Sequence, residues 1–148
     1  MKLEAIELIR MNVPLKSAFR TSFSSVNLHQ VVWAHVVTDV GEGWAECGAN
    51  ERPDYSSEFH HGAATVIKEF ILPDLFKLGN ELTAEKVGPT LEWLKGHRMA
   101  KAVIETALLD AQLRAAKISF ASYLGANKSK VPAGVSRSEE HTSELQSH

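Results

Sequence analysis

The chain has 148 residues, of which 44% are hydrophobic and 23% are charged, so it is long enough to bury one ordinary core. Sixteen basic against eighteen acidic residues give a formal net charge of -2, and this balance argues against a nucleic-acid partner. Cys47 is the only cysteine, which excludes an intramolecular disulfide, and no apolar run approaches the ~20 residues that span a bilayer.

The first fifty residues predict a three-stranded antiparallel meander. Apolar and polar residues alternate over residues 2–13, and Pro14 is expected to end this strand. Residues 15–25 have no period and many hydroxyl groups, so they are predicted to form a long loop. The strongest strand covers residues 28–39, with apolar side chains on both faces, and both faces are expected to be covered. A glycine-rich turn then leads to a short return strand at 44–49.

A second loop and a first helix follow the meander. Residues 50–55 have no regular period and are predicted to form a loop. Apolar residues then recur at helical spacing over residues 59–72, until Pro73 breaks or kinks the helix, because proline lacks an N–H and clashes with the preceding turn. Ser56 or Ser57 is the expected N-cap of this helix.

The clearest helix is predicted over residues 98–117, after a shorter helix that Thr83 can cap. Its apolar residues extend well beyond a single face, so we expect burial on two sides. Asp110 and Arg114 are spaced four apart as a possible ion pair. The principal apolar stripe consists of Ile104, Leu108, Ala111, Ala115 and Ile118.

Several residues that suggest a site have simpler structural interpretations. Adjacent helical residues point about 100° apart, so His60 and His61 are expected to face solvent rather than to share a metal ion. Cys47 is expected to be a small buried hydrophobe. Residues 41–43 predict a hairpin turn rather than a phosphate loop, because a strand follows where a phosphate site needs a helix.

Six short segments of the chain carry a family resemblance. They are 19–23 (FRTSF), 43–47 (GWAEC), 53–58 (PDYSSE), 96–101 (GHRMAK), 107–111 (ALLDA) and 131–136 (VPAGVS). As a set they resemble the o-succinylbenzoate synthase and N-succinylamino acid (N-acylamino acid) racemase family, in the muconate-lactonizing-enzyme-like subgroup of the enolase superfamily. The resemblance implies an α+β capping domain, in which a three-stranded antiparallel meander precedes a helical bundle, followed by a (β/α) barrel.

The resemblance also implies how the chain is divided. The capping domain is expected over residues 1–128, and residues 129–136 are expected to form the first barrel strand, with the rest of the barrel missing. Residues 137–148 are polar throughout, and all but the last resemble one reading frame of a sequencing-library adapter. We therefore expect this tail to be non-native and exclude it from the fold.

The chemistry implied by the resemblance belongs to a larger enzyme, a lyase or a racemase. That enzyme abstracts a proton next to a carboxylate and holds an enediolate on Mg²⁺, before dehydration or reprotonation. The family's catalytic lysines and metal ligands lie on later barrel strands, so no catalytic or metal residue is expected here, and the fragment alone is expected to be inactive. For the parent enzyme we expect a small anionic carboxylate substrate and a role in menaquinone biosynthesis. We also expect a cytoplasmic homo-oligomer without a membrane partner.

Two loops and one strand end are the implied substrate contacts. The candidates are Phe19, Arg20, Thr21, Ser22, Phe23, Pro53, Tyr55 and Ser136. In the first loop the aromatic rings would form apolar walls, the arginine would contact a carboxylate or acyl oxygen, and the hydroxyls would form hydrogen bonds. The second loop would form the opposite rim, and the serine would lie where barrel enzymes place site groups. An ordinary solvated arginine, and aromatic rings that anchor the loop on the core, are the alternatives.

Two other functions stay open at this point. The first is a self-standing α+β binding or dimerisation module without catalysis, which predicts no exposed apolar surface. The capping domain predicts the opposite, with the stripe of Ile104, Leu108 and Ala111, or its neighbour, facing water. The second is a related activity of the superfamily, such as cycloisomerisation or dipeptide epimerisation. Dehydration and racemisation are not separated by this sequence, because both use the same missing groups.

Overall fold

The computed structural model describes residues 1–20 and 25–134. Three antiparallel strands form one sheet in the order β1-β2-β3, and a set of helices follows. The strands are β1 (Leu3–Arg20), β2 (Ser25–Thr38) and β3 (Gly41–Cys47). The helices are α1 (His60–Val66), α2 (Leu72–Lys77), α3 (Ala84–Thr90), α4 (Arg98–Ala116) and α5 (Phe120–Tyr123), with a π-helical turn at Ile67–Ile71 and a 3₁₀ turn at Gly79–Glu81. The predicted meander and the α+β class are confirmed.

The prediction that Pro14 ends the first strand is wrong. Pro14 pairs with Leu28, and after a register shift Phe19 is paired again, so β1 continues to Arg20 through most of the segment expected to be a loop. The reason is that β1 lies at the edge of the sheet, where a residue without an N–H can face away from the ladder. Residues 21–24 lie outside the described residues.

The sheet packs against the helices through one of its two faces. The buried residues of that face are Val32, Ala34, Val36, Ala45 and Cys47. The opposite face carries Trp33, His35 and Trp44, and Trp44 is 37% exposed. The opposite face also carries Val31, which is buried, so the expectation that both faces of β2 are covered is met on the helix side and only in part on the other.

Gly43 sets how closely α4 approaches the sheet. A Cβ atom at this position would collide with the backbone carbonyl oxygen of Ala107 and would lie 2.5 Å from the backbone nitrogen of Ala111. No side chain larger than hydrogen fits there without moving the helix. The preceding residues form the predicted hairpin turn, since Gly41 begins β3 with a φ of 146°.

The first helix begins later than predicted. It starts at His60, with Phe59 as the N-cap residue and no side-chain cap, so the expected capping role of Ser56 or Ser57 is wrong. The Ser56 hydroxyl instead donates a hydrogen bond to the carbonyl oxygen of Glu58 at 3.1 Å. The first hydrogen bond of the helix joins two backbone groups: the carbonyl oxygen of Phe59 accepts from the N–H of Ala63 at 2.8 Å.

Pro73 does not end the helical segment, but the α-helical pattern is interrupted just before it, as the predicted break or kink requires. The chain passes into α2 through the π-helical turn Ile67–Ile71, in which the N–H of Leu72 donates to the carbonyl oxygen of Ile67. In an α-helix the proline ring would clash with the backbone carbonyl four residues earlier. The π-helical turn has more residues per turn than an α-helix, so it shifts the backbone carbonyls just before Pro73. Pro73 then occupies the beginning of α2, where its missing N–H is not needed.

The long helix α4 is buried on two sides, as predicted. It packs against β2, β3 and α3, and the Nε atom of Arg114 lies 2.7 Å from Asp110 in the predicted ion pair. Ile104, Leu108 and Ala111 are fully buried, so the expectation that these three face water is wrong, whereas Ala115 and Ile118, the last two members of the principal stripe, are exposed. The exposed apolar residues lie beyond the helix, at Ile118, Phe120, Tyr123, Leu124 and Val131.

The remaining described residues bear on the predicted boundaries. Residues 130–134 are not in a β-strand, and Val135 and Ser136 lie outside the described residues. A barrel strand is defined by its neighbours in the sheet, so the assignment of residues 129–136 stays a prediction. Among the described helices, none combines the length and apolar character needed to cross a membrane.

Candidate functional site

The first group of predicted site residues lies at the tip of the β1–β2 hairpin. Phe19 and Arg20 are the last residues of β1, and Arg20 pairs with Ser25 at the start of β2. Phe19 is 63% exposed, so its ring does not anchor this segment on the core. Both side chains are available to a partner at this tip. The other predicted contacts, at Thr21, Ser22, Phe23 and Ser136, lie outside the described residues.

The second loop, predicted over residues 50–55, extends to residue 58 in the structure and carries Pro53 and Tyr55. Both are exposed, and Tyr55 is 87% exposed. The base of the loop is closed, because Asn50 and Phe59 form a parallel bridge and the N–H of His60 donates to the carbonyl of Asn50 at 2.9 Å. The loop therefore presents its aromatic side chain from a fixed base.

Glu58 attaches this loop to the beginning of α4. Its carboxylate accepts hydrogen bonds from the backbone N–H of Met99, at 3.0 Å to each oxygen, and from Ala100 at 3.1 Å. The N-cap residue of α4, His97, has left-handed φ and ψ and makes no side-chain cap. The carboxylate supplies the missing acceptor and a negative charge at the positive end of the helix dipole. This contact was not predicted, although its two halves lie in segments that carried the resemblance.

The two loops leave the sheet at the same end. β3 ends at Cys47, which pairs with Val32, and the second loop follows directly. From Val32, β2 extends back to Ser25, so the hairpin tip projects roughly 20 Å further in the same direction, at about 3.3 Å per residue. Within the described residues, no hydrogen bond or ion pair joins Phe19 or Arg20 to the second loop.

His35 links all three strands on the open face of the sheet. Its Nδ1 atom lies 3.2 Å from Glu7, its Nε2 atom lies 3.1 Å from Glu42, and its ring stacks on Trp44 at 3.9 Å. Burial lowers the pKa of His35, but hydrogen bonds and charges from the two carboxylates outweigh it and raise the pKa above its ordinary value. This arrangement is a structural ion cluster at the end of the sheet far from the hairpin tip.

His60 does not face solvent as expected. Its side chain is buried, and its Nε2 atom has no hydrogen-bond partner in the described structure. Burial is the main cause that lowers its pKa. His61 is exposed, as predicted. Cys47 is the small buried hydrophobe that was predicted, and burial raises the pKa of its thiol.

The described residues do not fit a Mg²⁺ site. Between residues 1–20 and 25–134, no three His, Cys, Asp or Glu side chains are placed to hold a metal ion. The carboxylates with defined partners are used elsewhere: Glu58 on backbone N–H groups, and Asp110 on the N–H of Trp44 and on Arg114. These carboxylates therefore act as hydrogen-bond acceptors within the domain.

Residues 5–125 match the family of the mandelate racemase / muconate lactonizing enzyme N-terminal domain. The chain belongs to this family. It is 46% identical over 136 residues to an N-succinylamino acid racemase of Amycolatopsis sp., covering 92% of this chain and 37% of the relative. It is 31% identical over 137 residues to the o-succinylbenzoate synthase of Listeria innocua, covering 92% of this chain and 36% of that protein.

Solved structures show the same fold. The chain superposes with a TM-score of 0.82 on an Enterococcus faecalis V583 protein described as an unknown member of the enolase superfamily, at 28% identity. The match covers 99% of this chain and 40% of that one. The resemblance found in the six sequence segments and the capping-domain fold are confirmed. The chain spans little more than a third of the length of the curated relatives, 37% and 36%.

Proposed function

We propose that this chain is the substrate-capping domain of an enzyme of the o-succinylbenzoate synthase or N-succinylamino acid racemase type. The identity of 46% with a protein named N-succinylamino acid racemase supports this type. The observation that carries the capping role is that both predicted loops leave the same end of the sheet, one of them held by Glu58. A domain with two such loops is suited to close over a ligand from one side.

The side chains at this end suit an anionic, partly apolar substrate. Arg20 provides a guanidinium that can form a charge-assisted hydrogen bond with a carboxylate. Phe19 and Tyr55, both largely exposed, provide apolar surface that closure would bury. Closure of these groups over a small carboxylate would exclude water from it, which strengthens every electrostatic contact inside. Thr21, Ser22 and Phe23 are proposed to complete the first loop, and Pro53 the rim of the second.

The proposed reaction of the whole enzyme is proton abstraction next to a carboxylate, followed by dehydration or reprotonation. The bound Mg²⁺ of such an enzyme would stabilise the enediolate, and we propose that its ligands lie outside the capping domain. The capping domain would cover residues 1–128, the first barrel strand residues 129–136 with Ser136 at its end, and residues 137–148 would be non-native. This chain alone would be inactive, and the whole enzyme would be a cytoplasmic homo-oligomer.

The self-standing binding module fits the structure less well. The residues that follow α4 expose apolar side chains, with Ile118, Phe120 and Leu124 at 46%, 55% and 63%. A domain that is complete by itself rarely leaves such a cluster open to water. An exposed apolar cluster of this kind suits a domain that packs against a further one.

The decisive experiment joins residues 1–136 to the barrel of the Amycolatopsis relative. We expect a folded chimera that racemises an N-succinylamino acid or dehydrates the o-succinylbenzoate precursor. Arg20→Gln should raise KM about tenfold or more, with a smaller change in kcat, because a charged hydrogen bond to the substrate is lost. Lys128→Gln, at an exposed position away from both loops, is the matched control. A folded chimera with neither activity would contradict the proposal.

A further inference from the structure

A groove between the sheet and α1 has no part in the proposed function. Its volume is about 350 Å³, and it lies where the helix-facing sides of β1 and β2 meet α1 and the π-helical turn. Leu8, Val32 and Ala64 supply its apolar lining. Arg10 also lines the groove. It precedes Arg20 by ten residues on β1, so the two residues are separated by roughly 30 Å, at about 3.3 Å per residue. The groove is therefore separate from the hairpin tip.

The charged lining of this groove is cationic. Its charged side chains are Arg10 and Lys68, it also contains the imidazole of His61, and it has no acidic side chain. The Nη2 atom of Arg10 lies 3.3 Å from Nδ1 of His61. A guanidinium can only donate, so Nδ1 accepts, and the ring proton of His61 is on Nε2, where it remains a donor. The hydroxyl of the fourth polar residue, Thr65, donates to the carbonyl of His61 at 2.9 Å.

Neither cation of the groove forms an ion pair among the described residues. In the described part of the chain, no carboxylate lies within 4.0 Å of the charged nitrogens of Arg10 or Lys68. The charge of Arg10 also reaches the neighbouring buried His60, where it adds to burial in lowering the pKa of the imidazole. A groove whose charged side chains are both cationic favours an anion.

We propose that this groove binds a small organic phosphate. Its phosphate oxygens would accept hydrogen bonds from the guanidinium of Arg10, the ammonium of Lys68 and the Nε2–H of His61. These donors come from β1, from α1 and from the π-helical turn, so they approach a tetrahedral group from different directions. The groove is larger than a phosphate ion needs, and its apolar lining fits a small carbon body.

The test is a titration of the 148-residue chain with phenyl phosphate, followed by amide NMR. We expect phenyl phosphate to change the amide chemical shifts of residues near Arg10 and His61. Binding should weaken as salt is added, and the Lys68→Gln variant should bind at least tenfold more weakly than wild type. Lys68 is exposed, so this variant should fold normally, and its circular dichroism melting curve checks that. Arg10→Gln should weaken binding similarly, whereas the control Lys128→Gln should not.

Three results would overturn the proposal. The first is the absence of any shift up to ~10 mM phenyl phosphate. The second is shifts confined to the other groove, which Trp44, Leu113 and Phe120 line. The third is equal binding by wild type and Lys68→Gln. Inorganic phosphate is a second probe, and we expect it to bind about tenfold more weakly; equal affinity would refute the role of the apolar lining.

Discussion

The carboxylate of Glu58 accepts hydrogen bonds from the backbone N–H of Met99, at 3.0 Å, across 41 residues of sequence. The contact joins the end of the second loop to the start of the longest helix. Because α4 is anchored in the core through Ile104 and Leu108, the loop is held to a rigid element. A loop with an anchored end loses less conformational entropy when it closes on a ligand.

Replacing Glu58 by glutamine should therefore loosen the second loop and the first turn of α4. The amide keeps one acceptor oxygen but loses the charge, and we expect unfolding free energy to fall by about 1–2 kcal/mol. Hydrogen exchange should accelerate in residues 50–59 and at Met99. Glu92→Gln, at an exposed position, is the control and should change neither measurement. Unchanged exchange in the Glu58 variant would refute the anchoring role.

The close contact of α4 with β3 predicts a large effect of a single methyl group. Gly43→Ala should destabilise the chain by about 1–3 kcal/mol or more, because the new Cβ atom meets the backbone of Ala107 and Ala111. Gly48→Ala is a matched control, since nothing lies within 4 Å of its Cβ position. Urea unfolding of both variants measures the difference. Equal stability would show that the helix can move aside.

His35 should stabilise the sheet in mildly acidic solution. Its pKa is raised in the folded chain, so the contribution is fully present below the unfolded value, near 6.5, and is lost as pH rises through the folded pKa. We therefore expect His35→Gln to lose more stability at pH ~5.5 than at pH ~8.5. His29→Gln, at an exposed position on the same strand, is the control for the histidine-to-glutamine substitution itself. A loss independent of pH would refute the ion cluster.

His60 should lower the stability of the folded chain in mildly acidic solution, the opposite of the effect of His35. Its pKa is lowered in the folded chain, so the unfolded chain takes up the proton first as pH falls below about 6.5. Stability is therefore lost between that value and the folded pKa. His60→Gln removes this loss, so its unfolding free energy at pH ~5.5, relative to its own value at pH ~7.5, should be higher than the corresponding wild-type difference. The same slope in both proteins would contradict the burial of a neutral imidazole.

Local patterns predicted the elements of this fold but not the contacts between them. The alternation of apolar and polar residues predicted the three-stranded meander. The helical spacing of apolar residues predicted α4 and its burial on two sides. The rule that proline ends a strand failed at Pro14, because it depends on whether the strand lies at an edge. The exposure of His60 was also predicted wrongly, since the phase of a short helix is fixed by what it packs against.

The candidate site divides in the same way. Arg20 and Tyr55 came from the family resemblance, and the structure adds that their loops leave one end of the sheet. Glu58 was missed because a carboxylate that caps a helix from another segment has no local signal. The groove at Arg10 and Lys68 was missed because it combines residues from two elements that no sequence pattern relates.

Pro14 has a further consequence for how this protein behaves in a crowded solution. β1 is an edge strand of eighteen residues, and a long open edge can recruit a strand from another molecule and so begin aggregation. Proline offers no N–H to such an intruder and interrupts any ladder that forms there. Pro14, which pairs with Leu28 in the native sheet, thus also acts as a gatekeeper against intermolecular strand addition.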